Sequence, residues 1–156
     1  MIEIEIPGRG QLRLVHAVLD VNGTIACDGG LLPGVASRLQ ALASSLKPHL
    51  ITGNTYGKQD EIDRELGLRA IRLPDVTNQA RKKAEYVEAL GEASAVAIGN
   101  RTNDARMLKA ALGIAVVGHE GAARATVLSA DVVVPDIEAA LDLLLQPRRL
   151  VATLRT

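Results

Sequence analysis

The chain has 156 residues, balances 18 basic against 18 acidic side chains and carries one cysteine, Cys27. Its length suits a single domain spanning 1–156. The zero net charge excludes a general electrostatic footprint for nucleic acid or an anionic membrane, and one thiol excludes an internal disulfide. Tyr56 and Tyr86 are the only aromatic side chains besides the histidines, so the core must be Leu, Ile, Val and Ala, and the stacking platforms of single-strand nucleic-acid binders are missing. Without a signal-peptide pattern or an apolar run of membrane-spanning length, the expectation is a cytoplasmic protein with no membrane partner.

Ile2, Ile4 and Ile6 alternate with Glu3 and Glu5, the period of a half-buried strand, and Pro7-Gly8-Arg9-Gly10 turns the chain into a second apolar run over 12–19. An N-terminal β-hairpin leading into a central strand is the simplest account. That run stops at Asp20-Val21-Asn22-Gly23-Thr24. A buried strand ending in Asp presents a nucleophile or cation ligand at the rim of a sheet, and Thr24 can lock the turn by a side-chain hydrogen bond. On this stretch alone Asn22-Gly23 is equally a hairpin signal. The glycine-rich excursion up to Pro33-Gly34 suits a flap and is too short for a domain.

The rest of the chain alternates. Helical spacing predicts helices over 35–46, 58–66, 79–90, 103–112, 120–129 and 137–145, and short apolar runs predict strands over 49–51, 70–73, 93–98, 114–117 and 132–134. Such alternation reads as a parallel sheet with helices on both faces, a three-layer αβα Rossmann-like α/β fold. Only 147–156, rich in arginine, lies outside it, as a tail packed on its own body or on a neighbouring subunit. A site in such a fold belongs at strand carboxyl ends, where four polar turns fall: 20–24, 52–55, the Pro74 loop and 100–104. His16, His49 and His119 are scattered without ligand spacing, so zinc is not expected, and His16 reads as a satisfied structural residue. Gly53 to Gln59 imitates a phosphate-binding P-loop but is one residue short and has Gln59 where a hydroxyl must hold magnesium.

Phosphoryl chemistry at this rim needs a nucleophile, a hydroxyl and backbone donors, a permanent cation, and oxygen ligands for magnesium. Asp20, Thr52 with the Gly53 amide, Lys83, and Asp104 supply each once. Taken singly, the 52–55 turn, the basic run around Lys83 and Asn103-Asp104 as a helix cap are ordinary features. In this order they resemble the haloacid dehalogenase superfamily of phosphotransferases, over about 14–145. Its Asp-x-Asp-Gly-Thr loop, threonine, lysine and Gly-Asp-Gly-x-Asn-Asp turn correspond to 20–24, Thr52, Lys83 and Gly99-Asn100-Arg101-Thr102-Asn103-Asp104. The run from Lys83 to Leu90 and Val96-Ala97-Ile98-Gly99 look like the lysine helix and hinge of P-type ATPases. A small capless, soluble P-type ATPase-like family shares this look, including the closing 149–155 segment.

The resemblance implies a magnesium-dependent phosphohydrolase or phosphotransferase working through an aspartyl phosphate on Asp20. It places Asn22, Thr52 and Lys83 beside the nucleophile, Val21, Gly23, Gly53 and Asn54 around the phosphoryl group, and Asp20, Asn22, Asn100 and Asp104 around the metal. Asn22 stands where the superfamily's phosphatases carry an acid/base Asp, which implies slow turnover, and Asn100 replaces a metal carboxylate. The alternative is a catalytically weak phospho-acceptor or phosphate-binding module. No stretch is long enough for a cap, and an open rim favours macromolecular phosphorylated substrates or a lid from a second copy, hence a homo-oligomer.

Overall fold

In the computed structural model, which describes residues 1–53, 57–74 and 76–156, the apolar run expected over 12–19 is divided between two sheets. Strands β1 (Ile2–Ile6) and β2 (Gly10–Leu14) form an antiparallel hairpin in register from Ile2 opposite Leu14 to Ile6 opposite Gly10. The chain passes through Val15 and starts again as β3 (His16–Asp20) in a second, parallel sheet. Val15 joins that sheet's neighbours: its amide donates to the Ser94 carbonyl and its carbonyl accepts from Lys47.

The flap is a miniature hairpin of β4 (Ala26–Cys27) and β5 (Gly30–Leu31). There follow α1 (Val35–Leu42), β6 (Lys47–Thr52), α2 (Gln59–Leu66), β7 (Ile71–Arg72), α3 (Gln79–Leu90) and β8 (Ala95–Gly99). The chain ends with β9 (Leu112–Val116), α4 (Arg124–Ser129), β10 (Val132–Val134), α5 (Ile137–Leu145) and α6 (Pro147–Leu154). The parallel sheet has the order β10-β9-β8-β3-β6-β7, so successive crossovers leave β3 first on one side and then on the other. The carboxyl ends of β3, β6 and β8 therefore meet at the point where strand order reverses, the crevice in which open α/β sheets hold ligands.

Alternation along the strands divides the core. Ala17, Leu19, Leu50, Val96 and Ile98 face α1, α5, the hairpin's isoleucines and Leu150, while Val18, Ile51, Ala97 and Ala115 face Val87 of α3, Met107 and Leu108. The three-layer architecture is as the sequence implies. Two expected elements differ. The 103–112 helix is replaced by two 3₁₀ turns, Thr102–Asp104 and Met107–Lys109, because a short connection must return the full length of a five-residue strand, and a 3₁₀ turn advances about 2.0 Å per residue against about 1.5 Å for an α-helix. The expected 120–129 helix begins only at Arg124. The 147–156 tail, left outside the alternation, carries a helix with Pro147 in its first turn.

Candidate active site

Asp20 closes β3, and the next residues turn at once: the Val21 carbonyl accepts from the amides of Thr24, Ile25 and Ala26, at 3.2, 3.0 and 3.0 Å. Gly23 permits the turn with φ of +85°, a conformation that costs other residues energy. Val21 buries its side chain in the core, so only its peptide group is available to a ligand. Thr24 locks the loop as the sequence suggests, its hydroxyl reaching Asp20 Oδ2 at 3.3 Å and Asn100 Oδ1 at 3.2 Å.

Lys83 projects from α3 between two carboxylates. Its ammonium lies 2.5 Å from Asp20 Oδ1 and 2.7 Å from Asp104 Oδ1, and the three side chains are 0 to 5% exposed. A lysine this buried is rare unless paired. Burial works against its charge, but Asp20 and Asp104 outweigh burial and raise its pKa. Two carboxylates and one ammonium leave one net negative charge out of water, and Asp20 bears the consequence: burial first, and then Asp104, push its pKa up to about 7 against the pull of Lys83. Asp104 is fixed by more than Lys83, since its Oδ2 accepts from the amides of Asn100 and Arg101, each at 2.9 Å. Both oxygens of Asp104 are thus occupied by protein donors.

Asn22 and Thr52 form the neighbouring part of the rim, with Asn22 Nδ2 donating to Thr52 Oγ1 at 3.1 Å. Gly53 follows Thr52, and a Cβ on it would meet the Gln79 amide at 2.7 Å. Gln79 Oε1 in turn accepts from Asn103 Nδ2 at 2.8 Å, and Asn103 Oδ1 is buried with no hydrogen-bond partner among the described residues. Asn54 lies outside the described residues. The structure thus brings Asp20, Asn22, Gly23, Thr52, Lys83, Asn100 and Asp104 together at one crevice.

The sequence did not point to the loop after β9. Glu120 pairs with Arg101 at 2.9 Å, Asn100 Nδ2 donates to the Gly121 carbonyl at 3.0 Å, and the Ala123 amide donates to the Asn100 carbonyl. Residues 120–129 read as a helix from their spacing, and no motif marks Glu120 as part of the rim. His16 is satisfied, as expected: its Nδ1 meets His49 Nε2 at 3.0 Å, and His49 Nδ1 meets the Tyr86 hydroxyl at 2.8 Å.

Solved structures share this architecture. The 3-deoxy-D-manno-octulosonate 8-phosphate phosphatase of Moraxella catarrhalis, solved with magnesium, phosphate and its sugar, aligns over 91% of this chain and 94% of its own at a TM-score of 0.66 and 20% identity. The D,D-heptose 1,7-bisphosphate phosphatase of B. bronchiseptica, with magnesium and phosphate, aligns over 86% and 99% at 0.62 and 19% identity. The fold is haloacid dehalogenase-like. The cobalt-bound deoxy-D-mannose-octulosonate 8-phosphate phosphatase of Haemophilus influenzae aligns over 92% of this chain and 94% of its own at a TM-score of 0.66 and 15% identity. No family model matches the chain. An uncharacterised protein of Methanocaldococcus jannaschii is 59% identical over 61 residues, 38% of this chain and 66%, just under two thirds, of that relative.

These neighbours are solved with magnesium or cobalt bound, and the residues of this chain fit a divalent cation. Asp20 Oδ2 and Asn100 Oδ1 converge on the same hydroxyl of Thr24. Gly23 leaves open the space in which a Cβ would meet the Asn100 amide at 2.8 and 2.9 Å. Carboxylate, amide and peptide oxygens are the donors magnesium prefers, with water completing its shell. Among the described residues no group of three His, Cys, Asp or Glu side chains converges as a metal cluster, so the cradle is built in part from amides.

Proposed function

We propose that this chain is a magnesium-dependent phosphohydrolase or phosphotransferase that carries the phosphoryl group on Asp20. The observation that carries the reading is the buried Lys83 bridging Asp20 and Asp104 at the strand-order reversal. A carboxylate cannot approach a phosphate dianion without a permanent cation beside it, and an ammonium fixed between two carboxylates is such a cation. Asp20 attacks phosphorus and the ester oxygen leaves with its electron pair, forming an aspartyl phosphate that water then hydrolyses. Thr52 and the Gly53 amide hold a phosphoryl oxygen, with Asn54 and the Val21 and Gly23 peptides continuing the cradle. Asp104 acts through Lys83, holding it in place from a carboxylate that is itself pinned by two amides. Bound at Asp20, the Asn22 carbonyl and Asn100, with Asp104 behind them, the cation would keep Asp20 ionised and polarise the phosphoryl oxygens.

Asn22 has no titratable proton. The leaving oxygen takes its proton from water, at a cost of about 10²- to 10⁴-fold relative to a site with an acid at this position. The capless P-type ATPase-like family is the subfamily whose motifs fit best. The uncapped rim suits a phosphorylated macromolecule, with a second copy of the chain as the candidate lid. A second reading, a long-lived phospho-acceptor that alters a partner contact, is favoured by Asn22 alone.

The test is incubation with magnesium and a panel of phosphoesters, following released phosphate and hydroxylamine-labile phosphoenzyme. Both should be absent in Asp20→Asn. Phosphate release by Asp20→Asn equal to the parent's would remove Asp20 as nucleophile, and labelling without turnover would favour the phospho-acceptor.

A further inference from the structure

The cation cradle has a charge deficit. Asn100 stands where a carboxylate would serve, and Asp104 spends both oxygens on Lys83 and two backbone amides. Asp20 is left as the one carboxylate of the cradle with an oxygen directed at it, through Thr24. A single carboxylate and a few neutral oxygens hold magnesium weakly.

Glu120 occupies the place from which this deficit can be met. A Cβ on Gly23 would collide with Glu120 Oε2, and the same point lies 2.8 Å from Asn100 Nδ2 and 2.9 Å from Asn100 Oδ1. Carboxylate and amide thus flank the same space beside the α-carbon of Gly23, which a side chain there would fill. The loop that carries Glu120 is fastened to Asn100 itself, through the Gly121 carbonyl and the Ala123 amide. Arg101 grips Glu120 through Nε at 3.2 Å and Nη2 at 2.9 Å from Oε2, and through Nη2 at 3.2 Å from Oε1. At 25% side-chain exposure, Glu120 sits at the mouth of the cradle in reach of solvent, unlike Asp104.

We propose that Glu120 is a positioning residue for the divalent cation, an outer carboxylate that accepts hydrogen bonds from cation-bound water and replaces the charge missing at Asn100. The inference rests on the phosphotransfer reading for the presence of the cation, and adds a residue from a loop outside the four motif turns. Charge counting supports it. Asp20, Asp104, Lys83 and Arg101 sum to zero, and Glu120 makes the site net negative toward a dication. Magnesium retains several waters when bound, so a carboxylate one water away contributes attraction and orientation without displacing a ligand. Arg101 then has a second effect: it competes with the cation for Glu120, so it should weaken binding.

The competing account is that Arg101 and Glu120 merely brace the loop. The two accounts differ in sign. If the pair is only a brace, Glu120→Gln and Arg101→Gln act alike, since each breaks the same bridge. If Glu120 serves the cation, Glu120→Gln should weaken Mn²⁺ binding about 5- to 20-fold, and Arg101→Gln should strengthen it or leave it unchanged. Asn100→Asp should strengthen it, and in the double variant Asn100→Asp, Glu120→Gln affinity should return to near the parent's.

The measurement is Mn²⁺ titration by electron paramagnetic resonance with substrate absent, with thermal melts in chelator to show each variant folded. Asp20→Asn identifies which bound Mn²⁺ belongs to the cradle. Equal Mn²⁺ affinity in the parent and Glu120→Gln, or equal losses in both single variants, would overturn the proposal. Failure of the phosphotransfer reading shows elsewhere, as the absence of hydroxylamine-labile label on a parent that binds Mn²⁺.

Discussion

Asn22 has no titratable proton, and its amide nitrogen donates to the Thr52 hydroxyl at 3.1 Å. Asn22→Asp places a titratable group two residues beyond Asp20, the proposed nucleophile, but also turns a donor toward Thr52 into an acceptor. The hydroxyl of Thr52 would then donate to the new carboxylate and be drawn from the phosphoryl oxygen. We expect turnover to rise by roughly 10- to 10³-fold at saturating magnesium, with a shorter-lived phosphoenzyme and a raised KM. Steady-state kinetics on fresh protein of verified intact mass checks this, since an Asn-Gly pair deamidates on ageing. Turnover no faster than the parent's would leave Asn22 as a partner of Thr52 and give precedence to the phospho-acceptor reading. At this scale Asp20 and Thr52 were legible because each ends a strand at the rim, whereas Lys83, by itself an ordinary basic helix position, stood out only through the order of the motifs. Glu120 and Gln79 were not, because their positions follow from loop paths and from the room left by Gly23 and Gly53, which no periodicity records.

Among the elements, α6 is where the tail's ambiguity resolves. Leu150 is fully buried in the larger core, Val151 and Leu154 pack against it, and the Thr156 amide donates to the Pro7 carbonyl at 3.2 Å. The helix therefore covers the β1–β2 hairpin and its isoleucines within one chain. A second copy is not needed to cover these apolar positions. Leu150→Ala should cost about 2–5 kcal/mol, read by urea denaturation, while an exposed-site change such as Arg148→Ala should cost under about 0.5 kcal/mol. Near-neutrality of Leu150→Ala would mean that the helix does not close the core. The element boundaries the sequence missed have a common cause. Connections after β8 and β9 are governed by the span to be crossed and by caps such as Asp104 on Asn100 and Arg101, rather than by an apolar stripe. The tail's short amphipathic pattern was visible, but its partner, a hairpin at the other end of the chain, was not.

The whole molecule carries titratable groups at both ends of its parallel sheet, and they oppose one another in proton linkage. At the carboxyl ends, burial and Asp104 raise Asp20 to about 7, so between its unfolded value and about pH 7 the folded chain binds more protons, and stability is lost as the pH rises through that range. At the other end, burial followed by Lys47 lowers His16, and burial followed by His16 and Lys47 lowers His49. Their contribution is present above the ordinary histidine value and is lost as the pH falls below it. Substitution separates the two. Asp20→Asn removes the excess buried charge while Asp104 still compensates Lys83, so no unpaired ammonium is left behind. In chelator at pH 8 the variant should be more stable than the parent by on the order of 1–3 kcal/mol, roughly 2–4 °C of melting temperature per kcal/mol. The gap should narrow as the pH is lowered and close below the ordinary value of 3.8, where Asp20 is protonated in both folded and unfolded chains. His16→Gln should act in the other direction and flatten the loss of stability between about pH 6.5 and 5. Melting curves of the three proteins across pH 5 to 8 decide the matter. A melting temperature of Asp20→Asn below the parent's at pH 8 would show that attraction to Lys83 outweighs the burial of Asp20, and the metal-free site would then hold Asp20 ionised.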